Sequence, residues 1–183
     1  MVGAQLVARL CGLGALLLVT ATAQAQPAAS PVGADTALIA AVLRTVVREA
    51  LYTAHGAEPP QVVCVAIDTV AAAEGPFKFI DPPASVIANL QRGRSLLIRA
   101  SSACRRLPPD APRRARTSLI EDVKTGKRGI RVWMRTPQSA GPQTFAVDVG
   151  YDEHMLSGGW WRCTMRKRSG AWEVAGCQLL GVA

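Results

Sequence analysis

The sequence predicts an α+β fold: one long helix and one short helix packed on a curved antiparallel sheet of four to six strands, with two disulfides. Three observations carry this prediction. Apolar residues recur at helical spacing between Leu38 and Leu51. From Pro60 onward they fall instead into short β-branched or alternating runs separated by turn residues. Four cysteines, Cys64, Cys104, Cys163 and Cys177, follow a leader-like start, a pattern that fits an oxidising compartment and two cross-links.

Met1 to Ala25 has the form of a secretory signal peptide. Arg9 precedes an apolar run from Leu10 to Val19, and the small residues Ala23 and Ala25 suit cleavage before Gln26. Cys11 stands at the front of that run, not at its end, so it does not fit a lipid-attachment cysteine. The run is shorter than the ~20 apolar residues that cross a bilayer. An uncleaved anchor is the competing expectation, since Val2 to Ala25 is apolar apart from Gln5, Arg9 and Gln24. Cleavage leaves 158 residues and lowers the net charge from +8 to +7, with no later stretch able to span a membrane. The expected product is exported to the periplasm or the medium, with a flexible linker over 26–33 and a single domain over 34–183.

The long helix starts at Asp35, a suitable N-cap, and ends near Gly56. "PQVVCVAID" (60–68) reads as a buried strand. "DPPASVIANLQRG" (81–93) reads as a short helix, with Asp81 as cap, prolines in the first turn and Gly93 as stop. "SLLIRA" is a brief strand leading to Cys104. Between Arg105 and Arg116 lie five arginines and three prolines, which predict an exposed basic loop over 105–117. Beyond it "TSLIEDVK", "GIRVWMRT", "TFAVDVGY" and the hairpin 158–177 form a meander, with turns at "TGKR" and "PQSAGP". A long helix across one face of such a sheet places the shape near cystatin-like and NTF2-like architectures, an analogy that carries no function.

Alternation assigns the faces of the last hairpin. Trp161, Cys163 and Met165 point inward, and Arg162, Thr164, Arg166 and Arg168 outward. With Ser169-Gly170 as a two-residue turn, Lys167 faces Trp172 and Met165 faces Val174. In that register Cys177 falls on the wrong face, and a one-residue bulge at Ala175-Gly176 brings it across from Cys163. The bulge favours Cys163–Cys177, leaving Cys64–Cys104, over the two other pairings that four cysteines allow. Closing a loop of roughly 15 residues contributes about 3 kcal/mol.

The outward arginines continue onto Arg131, Trp133 and Arg135, which alternate with Ile130, Val132 and Met134. Together with Arg162, Arg166 and Arg168 they form a candidate binding face for a polyanion, acting through charge and stacking. The plainer alternative is a solvated face neutralised in part by Asp148 as a cross-strand partner. An exported protein seldom meets nucleic acid, so anionic envelope polymers, lipid head groups or a protein partner are the expected contacts.

Catalytic patterns are thin. In "VDVGYDEH", Asp148 and His154 are the candidates for acid–base chemistry, if a pocket holds them close, and a solvated turn is the simpler reading. His55 suits a helix C-terminus. With no C-x-x-C pair and only His55 and His154, neither a metal site nor a cofactor is expected.

Taken together, "VVCVAI", "DPPASVIANL", "SSAC" and "VDVGYDEHMLSGGWWRCTMRKRSGAWEV" resemble a group of small exported bacterial proteins of uncharacterised role. That group has a cysteine-bearing valine-rich strand, an Asp-Pro-Pro helix, a Ser-x-Cys segment and a basic Cys/Trp hairpin. The likeness spans roughly Gln61 to Cys177, and "LLGVA" departs from the group's usual aromatic finish. It implies caps, turns and cysteines, with no catalytic residues to carry over. The function expected is therefore an exported, non-catalytic binding or accessory protein of the cell envelope. Its competitors are a small-ligand receptor or enzyme with a cavity between helix and sheet, and a purely structural subunit.

Overall fold

The computed structural model describes residues 35–53, 59–69, 77–108, 119–154 and 157–182. The expected leader (1–25), the linker (26–33), His55, the stop at Gly56 and most of the expected basic loop (109–117) lie outside these residues. In chain order the described elements are α1 (Thr36–Thr53), β1 (Val62–Asp68), β2 (Phe79–Ile80), α2 (Ala84–Gln91), β3 (Leu97–Ala100), β4 (Cys104–Arg106), β5 (Ile120–Asp122), β6 (Arg128–Arg135), β7 (Gln138–Gly141), β8 (Thr144–His154), β9 (Ser157–Arg168) and β10 (Ala171–Val182). No helix among the described residues is long and apolar enough to cross a membrane.

Two helices on one large sheet make an α+β structure. The sheet departs from expectation twice. It has ten strands, not four to six, because short segments pair at its margins. "PQSAGP" is one of them: it supplies β7, which turns through Gly141 (φ 146°) and Gln143 (φ 55°) and pairs back on β8. Likewise the front of the expected basic loop is strand β4, paired with β5. The sheet is also mixed. Its main path runs β10-β9-β8-β6-β1-β2, antiparallel from β10 to β6, but β1 is parallel to both β6 and β3. All seven residues of β1 are buried, the pattern of a strand covered on both faces.

The helices cover one face. Leu38, Val42, Leu43, Val46 and Val47 of α1, with Val86 and Leu90 of α2, pack on Val63, Val65, Ile67, Ile130, Val132, Met134, Val147, Val149, Cys163 and Met165. These strand residues share one parity along each strand, so their neighbours belong to the opposite, outer face. At the start of α1 the Ala37 amide donates to Asp35 Oδ1 (2.9 Å), and Trp172 Nε1 donates to Asp35 Oδ2 (2.7 Å). The helix cap is thereby tied to β10, and the Trp172 hydrogen bond holds the Asp35 carboxyl below its ordinary range. The second helix differs from expectation at its cap: Pro83 occupies it, without a side-chain cap bond. Asp81 instead accepts from the Ser102 amide (2.9 Å) and hydroxyl, bracing the turn before β4.

Cys64 pairs with Cys104, joining β1 to β4, and Cys163 with Cys177, joining β9 to β10. On the β9–β10 ladder Lys167 lies opposite Trp172 and Met165 opposite Val174. The register then shifts between Val174 and Gly176 and sets Cys177 opposite Cys163.

Asp122 ends β5 fully buried. It accepts from the Thr125 hydroxyl and from the Thr125 amide (3.1 Å), and lies 3.7 Å from Arg99 Nε. The Thr125 hydroxyl is the main cause of a carboxyl pKa below its ordinary 3.8. A lowered folded pKa gives stability that is present above the unfolded value and is lost as pH falls through the folded one. Asp122→Asn should therefore lose about 1–3 kcal/mol at neutral pH. Its stability should also fall less steeply than that of the wild type as pH drops below 4, because one of the carboxylates that titrates on unfolding is gone. Urea unfolding from pH 7 to pH 3 measures both, and parallel curves would show that Asp122 is not linked to folding.

Candidate functional site

On the outer face, β6, β8, β9 and β10 bring side chains into three rows. The middle row is aromatic and glycine in turn. Trp133 lies opposite Gly150, Gly150 opposite Trp160, and Trp160 opposite Gly181. Each indole leans across a glycine. A Cβ on Gly150 would stand 2.5 Å from Trp133 Cζ2, and one on Gly181 would stand 2.2 Å from Trp160 Cζ2. Any larger residue there would displace the ring.

The flanking rows are charged. On one side Arg131 faces Asp152, which lies 3.9 Å from Arg131 Nη1 and 3.3 Å from Arg106 Nη2. On the other, Asp148 receives two hydrogen bonds from Arg162 (2.7 and 3.0 Å) and lies 3.7 Å from Arg135. Arg135 Nε also donates to the buried Asp68 (3.0 Å).

The segment leading into β2 builds a wall. Phe77 and Phe79 stack at 5.5 Å, and Phe77 sits 5.1 Å from Trp133. The Arg131 guanidinium lies 5.0 Å from the Phe79 ring, and that of Arg135 lies 5.5 Å from Phe77 and 5.9 Å from Trp133. These cation–π contacts hold both arginines over the sheet. Trp160 and Leu180 form the facing wall. Between the walls is a cleft of about 620 Å³, on the side of the sheet away from α1.

Burial perturbs the Arg131–Asp152 pair. Desolvation pushes the Arg131 guanidinium down, with Asp152 opposing it, and pushes the Asp152 carboxyl up, with Arg131 and Arg106 opposing. Arg131 Nε is buried, and among the described residues it has no hydrogen-bond partner. Arg162, in contrast, is exposed and is held above its ordinary range by its bonds to Asp148.

Of the residues singled out from the sequence, Arg131, Trp133, Arg135, Asp148 and Arg162 line this cleft together. Arg166 and Arg168 do not. They stand exposed further along β9, Arg166 opposite Thr144 and Glu173. His154 is at the far end of β8 opposite Ser157, and its side chain is outside the described part. Six residues of strand place it about 20 Å from Asp148, at ~3.3 Å per residue. The structure therefore does not bring the two acid–base candidates together. Asp148 is already engaged by two arginines, and Ser157, also in the lining, donates its hydroxyl to Glu153 Oε2 (3.1 Å). Among the described residues no cluster of His, Cys, Asp and Glu has the make-up of a metal site.

Phe77, Phe79, Arg106, Trp160 and Leu180 are cleft residues that the sequence reading did not select. Two signals were present: "FKF" sets both phenylalanines on one side of an extended segment, and Trp160 shares the parity of Arg162. Arg106 was hidden within an apparent loop. Compared with known proteins, the chain matches no family model, no curated protein and no solved structure.

Proposed function

We propose that this chain is an exported, non-catalytic binding protein of the cell envelope that holds an anionic partner against the outer face of its sheet. One observation carries the proposal: Arg106, Arg131, Arg135 and Arg162 converge on a single aromatic-walled cleft, of a size that suits a bound ligand. The disulfides fit an oxidising compartment and hence export. The carboxylates of the cleft hold arginines in place, which favours recognition over proton transfer.

The test compares two exposed arginines of β9. Arg162 is in the cleft and Arg168 is outside it, so Arg162→Gln and Arg168→Gln make the same change of charge. On a sulfated-polysaccharide column Arg162→Gln should lower the eluting salt roughly twice as much as Arg168→Gln, because charges beside a partly enclosed cleft are screened less. Equal shifts would mean that the column reads net charge alone, and the cleft would lose its claim.

A further inference from the structure

The cleft mixes charged and apolar groups at every depth. Ordinary ligand pockets are apolar within and carry a few polar groups for orientation. Here Trp133 and Tyr151 are buried beside buried charges, while Arg106 and Arg162, about half exposed, share the mouth with apolar side chains. The side chains of Arg131, Asp148, Arg135 and Asp152 are only 12%, 12%, 19% and 22% exposed. Phe77, Leu180 and Trp160 are 52%, 42% and 38% exposed as residues.

The balance of charge around the cleft points to what enters. Four guanidiniums lean on three carboxylates, Asp68, Asp148 and Asp152. The three carboxylates leave the four guanidiniums with an excess positive charge, and a guanidinium is matched best by a carboxylate or phosphate. Phe77, Trp160 and Leu180 set exposed apolar surface directly beside these charges.

From this we infer that the ligand is an anionic amphiphile, bound with its phosphate or carboxylate head down on Arg131 and the neighbouring arginines and its apolar body against Phe77, Trp160 and Leu180. The inference rests on the binding role proposed above and names its ligand class. A free amphiphile and a bilayer lipid offer the same chemistry. A polymer carrying only charge would leave the rim uncovered.

The experiment is a titration of the disulfide-intact protein with octyl phosphate, followed by tryptophan fluorescence. Inorganic phosphate supplies the head alone and octanol the tail alone. Octyl phosphate should bind roughly ten-fold or more tightly than either, since burying a few methylene groups suffices for that factor. Arg162→Gln and Leu180→Ser should each weaken it, and Trp160→Ala should do so if it folds. Co-sedimentation with phosphatidylglycerol vesicles that octyl phosphate abolishes would assign the head group to a bilayer lipid. Octyl phosphate binding without co-sedimentation would assign it to a free amphiphile. If inorganic phosphate or octanol binds as tightly as octyl phosphate, or octyl phosphate does not bind, the amphiphile is excluded. Should Arg162→Gln still lower the eluting salt more than Arg168→Gln in that case, the anion-binding role survives; if the two shifts are equal as well, both fall.

Discussion

Replacing Gly129 with alanine is expected to destabilise the protein by at least ~3 kcal/mol, at the upper end of what overpacking usually costs. For a domain of this size that is a fall of about 10 °C in unfolding midpoint. Gly129 is the residue of β6 that lies opposite Val62 of β1 in the parallel ladder. A Cβ there would stand 1.7 Å from the Val62 carbonyl oxygen and 2.6 Å from its carbon. Both are backbone atoms, so no rotamer change relieves the clash and the strands must part. Gly176 is the control, because a Cβ on it meets nothing within 4 Å. Gly176→Ala should change stability by no more than about 0.5 kcal/mol. Thermal melts of the two variants that coincide would show that β1 and β6 are not paired in this register.

The second large effect belongs to Cys64–Cys104. It spans 40 residues, against 14 for Cys163–Cys177. By loop entropy the two should contribute about 4 and 3 kcal/mol. Packing adds a smaller difference: each bridge has one buried cysteine, Cys64 or Cys163, but Cys104 is less exposed than Cys177. Cys64 is fully buried in a small cluster with Val62 and Ile120, against which Cys104 and Leu97 pack. Cys177 lies exposed on β10, which ends the main path of the sheet. The double variant Cys64→Ala/Cys104→Ala should therefore lose more stability than Cys163→Ala/Cys177→Ala in guanidinium unfolding without reductant. The reverse order would place the main constraint in the C-terminal hairpin and not in the link between β1 and β4.

Local pattern accounts for what could be read in advance. The 3.6-residue stripe from Leu38 to Leu51 marks α1, since a helix must bury one side of itself. Alternation from Trp161 to Arg168 assigns the faces of β9. The misfit of Cys177 with that alternation locates an extra residue, and the ladder has its register shift there. The parallel pairing of β1 was present only as a hint: "VVCVAID" is apolar without alternation, as a strand covered on both faces must be. Nothing within the run says which strands flank it. Asp81 reads as a helix cap from the sequence because a cap residue and a turn-bracing residue have the same chemistry, and its partner, Ser102, is 21 residues away.

The candidate site divides along the same line. Arg131, Trp133, Arg135 and Arg162 share an outer face by parity alone, a local property of each strand. That Arg162 enters the cleft while Arg166 and Arg168 stay outside depends on where β6, β8 and β9 cross. That Phe77 and Phe79 wall it depends on β2 pairing with the end of β1.

By itself, then, the sequence determined the two helical segments, the longer extended segments, the faces of β6 and β9 and the residues able to form disulfides, because those follow from spacing along the chain. Only the tertiary structure decided the mixed sheet, the ten-strand count and the arginine-floored cleft. These arise from contacts between residues far apart in sequence, where strand order and register, set by which faces can be buried together, choose the neighbours.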